Sequence, residues 1–211
     1  VGFGLAAQAA DYASTVLSHN PVAYWRFNET VASPPPNIVA NSGSLGSAGD
    51  GYVVMNVGKG EAGKVGNSIR LVNSAQDTGL CGSKVDVPFH PVLNPPAPFT
   101  IEFWAKPTVV GGYDATGCCP ISCLNPNWYG GGNRTGWIFY MSPAGRWTFR
   151  LGLTSGYDVT LNASGGNAQA GVWQHIVATF DGTTARVYVD GVPVGTGTSG
   201  GRWKPNTQMA L

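Results

Sequence analysis

The stretch WQHIVATFDGTTARVYVDG, residues Trp173–Gly191, decides the fold. It holds two Asp-Gly pairs, Asp181-Gly182 and Asp190-Gly191, between runs of β-branched and aromatic residues. Such a pair between alternating apolar runs is the strongest short-range signal for a β-hairpin, because Gly accepts positive φ without a Cβ clash and Asp tolerates the same region. The stretch predicts strand, turn, strand, turn, with both aspartates as turn formers rather than ligands or catalysts.

Alternation within these runs predicts which side chains share a face. In Trp173–Phe180 it places Trp173, His175 and Val177 together. His175 is therefore predicted to be a packed core histidine rather than a catalytic base. Ala185–Asp190 has one apolar and one mostly polar face, which is typical of a half-buried antiparallel strand.

The composition is that of a turn-rich β protein. The 211 residues suffice for one all-β domain and include 31 Gly and 15 Pro. Only 11% of residues are charged, yet 43% are hydrophobic and seven are Trp, which excludes a disordered chain. A net charge of +1 without a basic run argues against nucleic-acid binding. No apolar run approaches the length of a membrane span.

The rest of the chain predicts many short strands and requires no helix of normal length. Asp11–Leu17 is interpreted as a short helical turn or an extended lead-in. Phe99–Ala105 is strongly β with bulk on both faces, which suggests a central strand covered on both sides. Gly111–Gly136 is long and irregular, so it is expected to be functional or stapled. Short strands with regular turns predict an all-β sandwich or jelly roll.

Four motifs carry a family resemblance. In chain order they are PVAYWRFNE at 21–29, NSGSLGSAGDG at 41–51, FTIEFWAKP at 99–107 and VWQHIVATFDGTTARVYVDGVPV at 172–194. Together they resemble the laminin-G-like, concanavalin-A-like lectin-glucanase jelly-roll domain. The resemblance implies a two-sheet antiparallel jelly-roll sandwich over residues 11–211, with an insertion at 111–136. Thr207–Leu211 resembles the entry to the penultimate strand, so either the final strand is lacking or the chain has been cut.

The N-terminal segment has two interpretations. Residues 1–10 are apolar, and Ala7-Gln8-Ala9 fits the small-x-small pattern of a signal-peptidase site. The segment is either a signal-peptide remnant or a tail that pairs as a strand with a neighbouring copy.

The four cysteines predict two disulfides and hence an oxidising compartment. A vicinal bond between Cys118 and Cys119 is strained, which leaves Cys81 joined to Cys118 or Cys119 and the other joined to Cys123. A metal cluster is the alternative, but no His lies near and the spacing is poor for zinc.

Catalysis by the known chemistry of the fold is not expected. The resemblance implies that glucanases of this fold carry E-x-D-x-x-E or E-x-D-x-E on one strand, because glycosidases need two carboxylates across the sugar. FTIEFWAKP carries only Glu102. Glu102 is interpreted as a structural hydrogen-bonding group, and the protein is predicted not to be an enzyme.

Calcium is the one cofactor that the resemblance suggests. Oxygen ligands suit this hard cation, and Glu29 and Asn41 occupy positions that could contribute. Asn41 stands where the family usually has Asp. The alternative is that both residues only hydrogen-bond their loop.

The insertion is the predicted ligand surface. Aromatic side chains can pack on the apolar faces of sugars, while Asn, Asp and Arg bind hydroxyls, and a stapled loop avoids part of the ordering cost of binding. The candidate residues are Tyr113, Asp114, Asn125, Asn127, Trp128, Tyr129, Asn133 and Arg134. The alternative is a small core in which Trp128 and Tyr129 cover the disulfides.

These observations favour a secreted, non-catalytic jelly-roll module that binds a glycan or another extracellular ligand in adhesion or cell-surface recognition. A second hypothesis is a filament subunit. A sandwich without its last strand invites an added strand, which residues 1–10 of the next copy could supply.

Overall fold

The computed structural model describes residues 12–30, 37–55, 57–72, 82–111, 119–125, 135–153 and 160–206. The chain divides into two compact units, Val1–Leu93 with Met209–Leu211 and Asn94–Gln208, called here the N-terminal and C-terminal units. Residues 1–10 and 207–211 lie outside the described residues. The single jelly-roll domain over 11–211, the missing strand and the strand-donating tail therefore stay predictions.

The N-terminal unit is built from short elements. Residues 12–18 form a short helix. The strands are β1 (Ile38–Val39), β2 (Gly51–Val54), β3 (Gly58–Ala62), β4 (Asn67–Arg70) and β5 (Lys84–Asp86). An antiparallel sheet has the order β1-β2-β5, and β3 pairs with β4 as a separate hairpin. Two 3₁₀ turns, Gly46–Gly49 and Pro91–Leu93, lie in the connections.

Asn41 organises the glycine-rich loop that precedes β2. Its Oδ1 accepts hydrogen bonds from the backbone N–H groups of Tyr24 at 2.7 Å and Gly43 at 2.9 Å. Its Nδ2 donates to Gly46 O at 3.0 Å, and its own N–H donates to Asp50 Oδ1 at 2.8 Å. One side chain thus satisfies three backbone groups that the turn would otherwise leave without partners.

Two glycines of this loop are required by close approach. A Cβ at Gly43 would lie 2.5 Å from Val22 O, so the loop could not dock on the preceding segment. Gly49 lies beside Asn41, where a Cβ would lie 2.7 Å from Nδ2, and its carbonyl accepts the indole N–H of Trp25 at 2.7 Å. The positions of these two glycines in NSGSLGSAGDG are therefore set by the close packing of the loop against neighbouring groups.

The C-terminal unit is a pair of four-stranded antiparallel sheets. Its strands are β6 (Phe99–Ala105), β7 (Ile121–Asn125), β8 (Thr135–Met141), β9 (Arg146–Gly152), β10 (Thr160–Asn167), β11 (Gln174–Phe180), β12 (Thr184–Val189) and β13 (Val192–Thr198). The β8 sheet has the order β10-β9-β8-β7, and the β11 sheet has the order β13-β12-β11-β6. All pairings within both sheets are antiparallel.

One aromatic core joins the two sheets. The ring of Phe103 in the β11 sheet packs edge-on against Phe139 of the β8 sheet, with centroids 5.0 Å apart. Phe99 approaches Phe149 in the same way at 6.4 Å. Phe139 and Phe149 are fully buried, as are Trp147, Leu151, Ile176, Phe180 and Val187. Burial of such side chains contributes about 1.5–3 kcal/mol each, so this interface dominates the stability of the unit. The predicted all-β sandwich is confirmed.

Gln174 is the polar member of this core and is 2% exposed. Its Oε1 accepts the indole N–H of Trp147 at 3.2 Å and the N–H of Gln169 at 3.0 Å, while Nε2 donates to Asn167 O at 3.1 Å. Each polar atom of the amide has a partner, so the cost of burying it is offset.

Both Asp-Gly pairs form the predicted turns. Asp190 and Gly191 have φ of 50° and 80° and connect β12 to β13 as a two-residue hairpin with two positive φ values. Asp181 caps the turn between β11 and β12, where Oδ1 accepts the N–H groups of Thr183 at 2.9 Å and Thr184 at 2.7 Å. The prediction that these aspartates are turn formers is confirmed.

Two expectations about the β11 sheet are wrong. His175 lies on the face turned away from the core, because Gln174, Ile176, Ala178 and Phe180 are the buried residues of β11. Among the described residues, β6 pairs only with β11 and so ends its sheet. Its outward side chain Glu102 is 40% exposed, so β6 is not a central strand covered on both sides. Bulky residues on both faces of these strands made the inward face ambiguous.

Replacement of Asn41 should destabilise the N-terminal unit. Asn41→Ala removes three side-chain hydrogen bonds and is expected to lower the free energy of unfolding by about 1–3 kcal/mol. Asn41→Asp keeps both accepted N–H bonds but loses the donor to Gly46 O, so its loss should be smaller. Urea unfolding of the three proteins measures the difference. Equal stability of Asn41→Ala and wild type would contradict this role.

Asp181 should titrate unusually low. The N–H of Thr184, the Arg186 guanidinium 2.9 Å from Oδ2 and the N–H of Thr183 lower its pKa from 3.8 to about 2. Because the folded pKa is depressed, the stability it contributes is complete well above pH 3.8 and is lost as the pH falls towards 2. Carboxyl-carbon NMR measures the midpoint, and Arg186→Gln should raise it. A midpoint near 3.8 in wild type would refute the assignment.

Candidate functional site

The predicted ligand residues of the insertion are not placed by the structure. Tyr113, Asn127, Trp128, Tyr129, Asn133 and Arg134 lie outside the described residues, as does Asp114. Of Asn125, the structure describes only the backbone, which pairs with Thr135. Residues 126–134 therefore link the paired ends of β7 and β8. The role of these side chains in binding stays a prediction.

Cys123 on β7 is a thiol in the structure, so the predicted disulfide to Cys123 is not formed there. Its Sγ accepts a hydrogen bond from Nδ2 of Asn94, and Asn206 lies beside it. Burial raises the pKa of the thiol, although the two hydrogen bonds oppose that shift. The physical reason is that Cys123 faces these two amides. Cys119 is exposed, and Cys81 and Cys118 lie outside the described residues, so any other pairing stays a prediction.

The two residues proposed to bind calcium, Glu29 and Asn41, differ in whether their side-chain oxygens could serve as ligands. Both lone-pair directions of Asn41 Oδ1 are taken by backbone N–H groups, so Asn41 does not fit as a ligand. Glu29 Oε1 accepts the N–H of Ala40 at 2.9 Å, while Oε2 is buried and has no hydrogen-bond partner in the described part of the chain. No group of three or more His, Cys, Asp or Glu side chains suited to a metal occurs among the described residues. Calcium binding stays a prediction.

The outer face of the β11 sheet gathers aromatic and charged side chains. The pairing of β6 with β11 sets Trp104 opposite His175 and Glu102 opposite Val177, and the pairing with β12 sets Tyr188 opposite Val177. These side chains alternate with the core residues of the same strands. We call this surface the aromatic face; its members are Glu102, Trp104, Lys106, Trp173, His175 and Tyr188.

His175 connects the aromatic and acidic parts of this face. Its ring stacks on Trp104, with centroids 4.9 Å apart and planes 24° from parallel. Its Nε2 lies 3.5 Å from Oε2 of Glu102, and its backbone N–H donates to Asp190 Oδ1 at 2.8 Å. The His175 side chain is 22% exposed and that of Glu102 is 40% exposed. Glu102 is thus exposed, whereas Trp104 and His175 are half-buried, with Trp104 Nε1 and His175 Nε2 shielded from solvent.

The next cross-strand position adds a cation. Lys106 follows β6 and Trp173 precedes β11, and the ammonium lies 5.7 Å from the centroid of the indole ring. A cation at this distance is attracted by the ring and holds it in place. Two Trp rings are thus ordered on adjacent positions before any ligand arrives.

This face offers aromatic rings and a carboxylate as groups for contact with a ligand. Aromatic rings pack against apolar C–H surfaces, while the carboxylate of Glu102 accepts hydrogen bonds from hydroxyl groups. Hydrolysis needs two carboxylates about 5–10 Å apart across the sugar. In the described strands of the β11 sheet, Glu102 is the one acidic residue, and Asp181 and Asp190 are engaged in their turns.

The sequence predicts the strands that carry this face but not that the face points outward. Alternation places Trp173 and His175 on one side of a strand, and that side is predicted to belong to the core. The usable signal was the opposite side, because Ile176, Ala178 and Phe180 form a continuous apolar row that continues into Val187 and Ala185 of β12.

The comparison with protein families agrees with this architecture. The family described as the concanavalin A-like lectin/glucanases superfamily, Laminin G 3, matches residues 77–211. This range is more than half of the chain and includes all strands of the β8 sheet and the β11 sheet. The chain belongs to this superfamily. Membership of the superfamily supports binding of a carbohydrate or another ligand, and the superfamily includes enzymes as well as lectins. A search of curated proteins found no match to the chain. Within the described residues, no helix has the length and apolar character needed to cross a membrane.

Cys123 should react slowly with alkylating reagents in the folded protein. Burial disfavours the thiolate, which is the reactive form. Iodoacetamide at neutral pH is expected to modify the Cys123 peptide far faster in urea than in buffer, as followed by mass spectrometry. Asn94→Ala opens the contact and should speed the reaction in buffer. Recovery of Cys123 in a disulfide-linked peptide without reduction would instead support the sequence-based prediction.

Proposed function

We propose that the protein is a secreted, non-catalytic module that binds a glycan through the aromatic face. The observation that carries this proposal is the ordered set of Trp104, His175 and Glu102, held by a stack of 4.9 Å and a contact of 3.5 Å. The superfamily supports carbohydrate or other ligand binding in general terms. Adhesion or cell-surface recognition would be the setting of such a module.

The argument for a sugar comes from the mixture of surfaces. A pyranose presents apolar C–H groups on its faces and hydroxyls around its edge. Trp104, Trp173 and Tyr188 supply apolar contact, and Glu102 and Lys106 supply hydrogen-bonding groups at the rim. Because cross-strand partners already fix the rings, little side-chain entropy is lost when the ligand binds.

The argument against catalysis comes from the same set. A retaining or inverting glycosidase would need a second carboxylate near Glu102. The described contact of the Glu102 carboxylate is with the imidazole of His175. Secretion is proposed from the composition, since Gly and uncharged polar residues replace most of the charges. The predicted filament depends on residues 1–10 and is not developed into a second function.

Binding should depend on Trp104. An array of oligosaccharides identifies the strongest ligand, and calorimetry then compares variants on that ligand. Trp104→Ala is expected to weaken binding about tenfold or more, because it removes a ring of the platform. Glu102→Gln keeps the shape and removes the charge, so it should weaken binding less and leave the melting temperature nearly unchanged.

Val192→Ala is the matched control. Val192 is an apolar residue of β13 in the same sheet and is 59% exposed, so its replacement removes surface carbon outside the aromatic face. It should bind as wild type does. If wild type binds no oligosaccharide, or if folded Trp104→Ala binds as tightly as wild type, the proposed function is wrong.

A further inference from the structure

The outer face of the β8 sheet carries a polar row that the aromatic face does not involve. Register sets Arg150 of β9 opposite Ile138 of β8 and Asn162 of β10. Tyr140 and Thr148 occupy the next positions on the same face. These side chains alternate with the core residues Phe139, Phe149 and Leu151, so they point away from the core.

Arg150 is held from two sides. Its Nε donates to Asn162 Oδ1 at 2.9 Å, and its Nη2 donates to the hydroxyl of Tyr140 at 2.7 Å. Its Cζ also lies 4.7 Å from the centroid of the Tyr140 ring. The guanidinium plane is therefore fixed in place, although arginine is normally among the most mobile side chains.

Neither partner of Arg150 carries a charge. No carboxylate pairs with Arg150 within the described ranges, whereas Arg70 pairs with Glu61 and Arg186 pairs with Asp181. A guanidinium has five N–H donors, of which two are used by the described residues. In the described part of the chain, the row thus holds an oriented positive charge without an acidic partner.

An exposed hydroxyl group lies at the adjacent cross-strand position. Ser164 is exposed, whereas Thr148 is 2% exposed, and their side-chain oxygens lie 3.1 Å apart. Ser164 can donate to or accept from the hydroxyl of a sugar, while Arg150 binds an anionic substituent through two parallel N–H groups. A carboxylate or a sulfate on a saccharide matches both features.

We propose that the row Tyr140–Arg150–Asn162 is a binding site for the carboxylate or sulfate group of an acidic saccharide. This site lies on a different sheet from the aromatic face, and it does not depend on the function proposed there. Tyr140 and Asn162 act as positioning residues, and Arg150 is the residue that touches the anion.

Calorimetry on the full chain tests the proposal with three probes: a sulfated disaccharide, the same disaccharide without sulfate, and inorganic sulfate. The sulfated disaccharide is expected to bind, and the unsulfated one to bind at least roughly tenfold more weakly, since charge-assisted hydrogen bonds are lost. Inorganic sulfate should compete only at much higher concentration. Equal binding of the two disaccharides, no binding of either, or competition by inorganic sulfate as effective as the sulfated disaccharide would overturn the proposal.

Variants locate the site. Arg150→Gln should lose roughly tenfold or more in affinity for the sulfated disaccharide, and Arg150→Lys should recover part of it, because charge returns without the fork geometry. Arg146→Gln is the matched control: Arg146 is an exposed cation at the start of the same strand. An equal loss in Arg146→Gln would mean unspecific charge attraction and would overturn the proposal.

A further variant separates binding from folding. Tyr140→Phe keeps the ring but removes the hydroxyl that holds Nη2, so it should weaken binding less than Arg150→Gln while the protein stays folded. If folded Arg150→Gln and Tyr140→Phe both bind as wild type does, the row is not the site.

Discussion

The pairing register of β11 is the constraint on which the rest of the C-terminal unit depends. It sets Phe180 opposite Phe99 and Ile176 opposite Phe103, and it thereby builds the core row. The same register sets His175 opposite Trp104 on the other side. Because side chains alternate along a strand, a slip of one residue would exchange the two rows. The two aspartate turns prevent that slip by fixing both ends of β12.

The strands and turns of the C-terminal unit could largely be predicted from the sequence, because turn chemistry and alternation are local. The sequence predicts Asp181 and Asp190 as turn formers, and the structure confirms this. The sequence does not predict which face of β11 points inward, because Trp173, His175 and Val177 are as bulky as the residues that alternate with them. Which face is buried depends on the facing sheet, above all on Phe139, and that contact is distant in the chain. The candidate site was missed for the same reason.

Burial separates the structural amides of this protein from those that could bind. Asn41 was a candidate ligand by position, yet its oxygen is committed to two backbone N–H groups. Gln174 and Asn206 are 2% and 4% exposed and connect elements. Asn162 is exposed and holds Arg150. An amide side chain thus serves as backbone partner or as positioning group, and only its environment shows which.

Because few residues of this chain are charged, the partners of each charged residue are informative about its role. With 11% charged residues, a cation without an acidic partner stands out more than it would on an ordinary surface. Arg186 pairs with Asp181 and so stabilises a turn. Arg150 instead has a hydroxyl and an amide, which orient it without neutralising it. A group that is fixed and still charged has already lost its side-chain entropy, and its electrostatic interaction remains for a ligand. The aromatic face and the arginine row thus share one feature: few charged groups lie on the outer faces, and Arg150 and Glu102 each contact cross-strand neighbours.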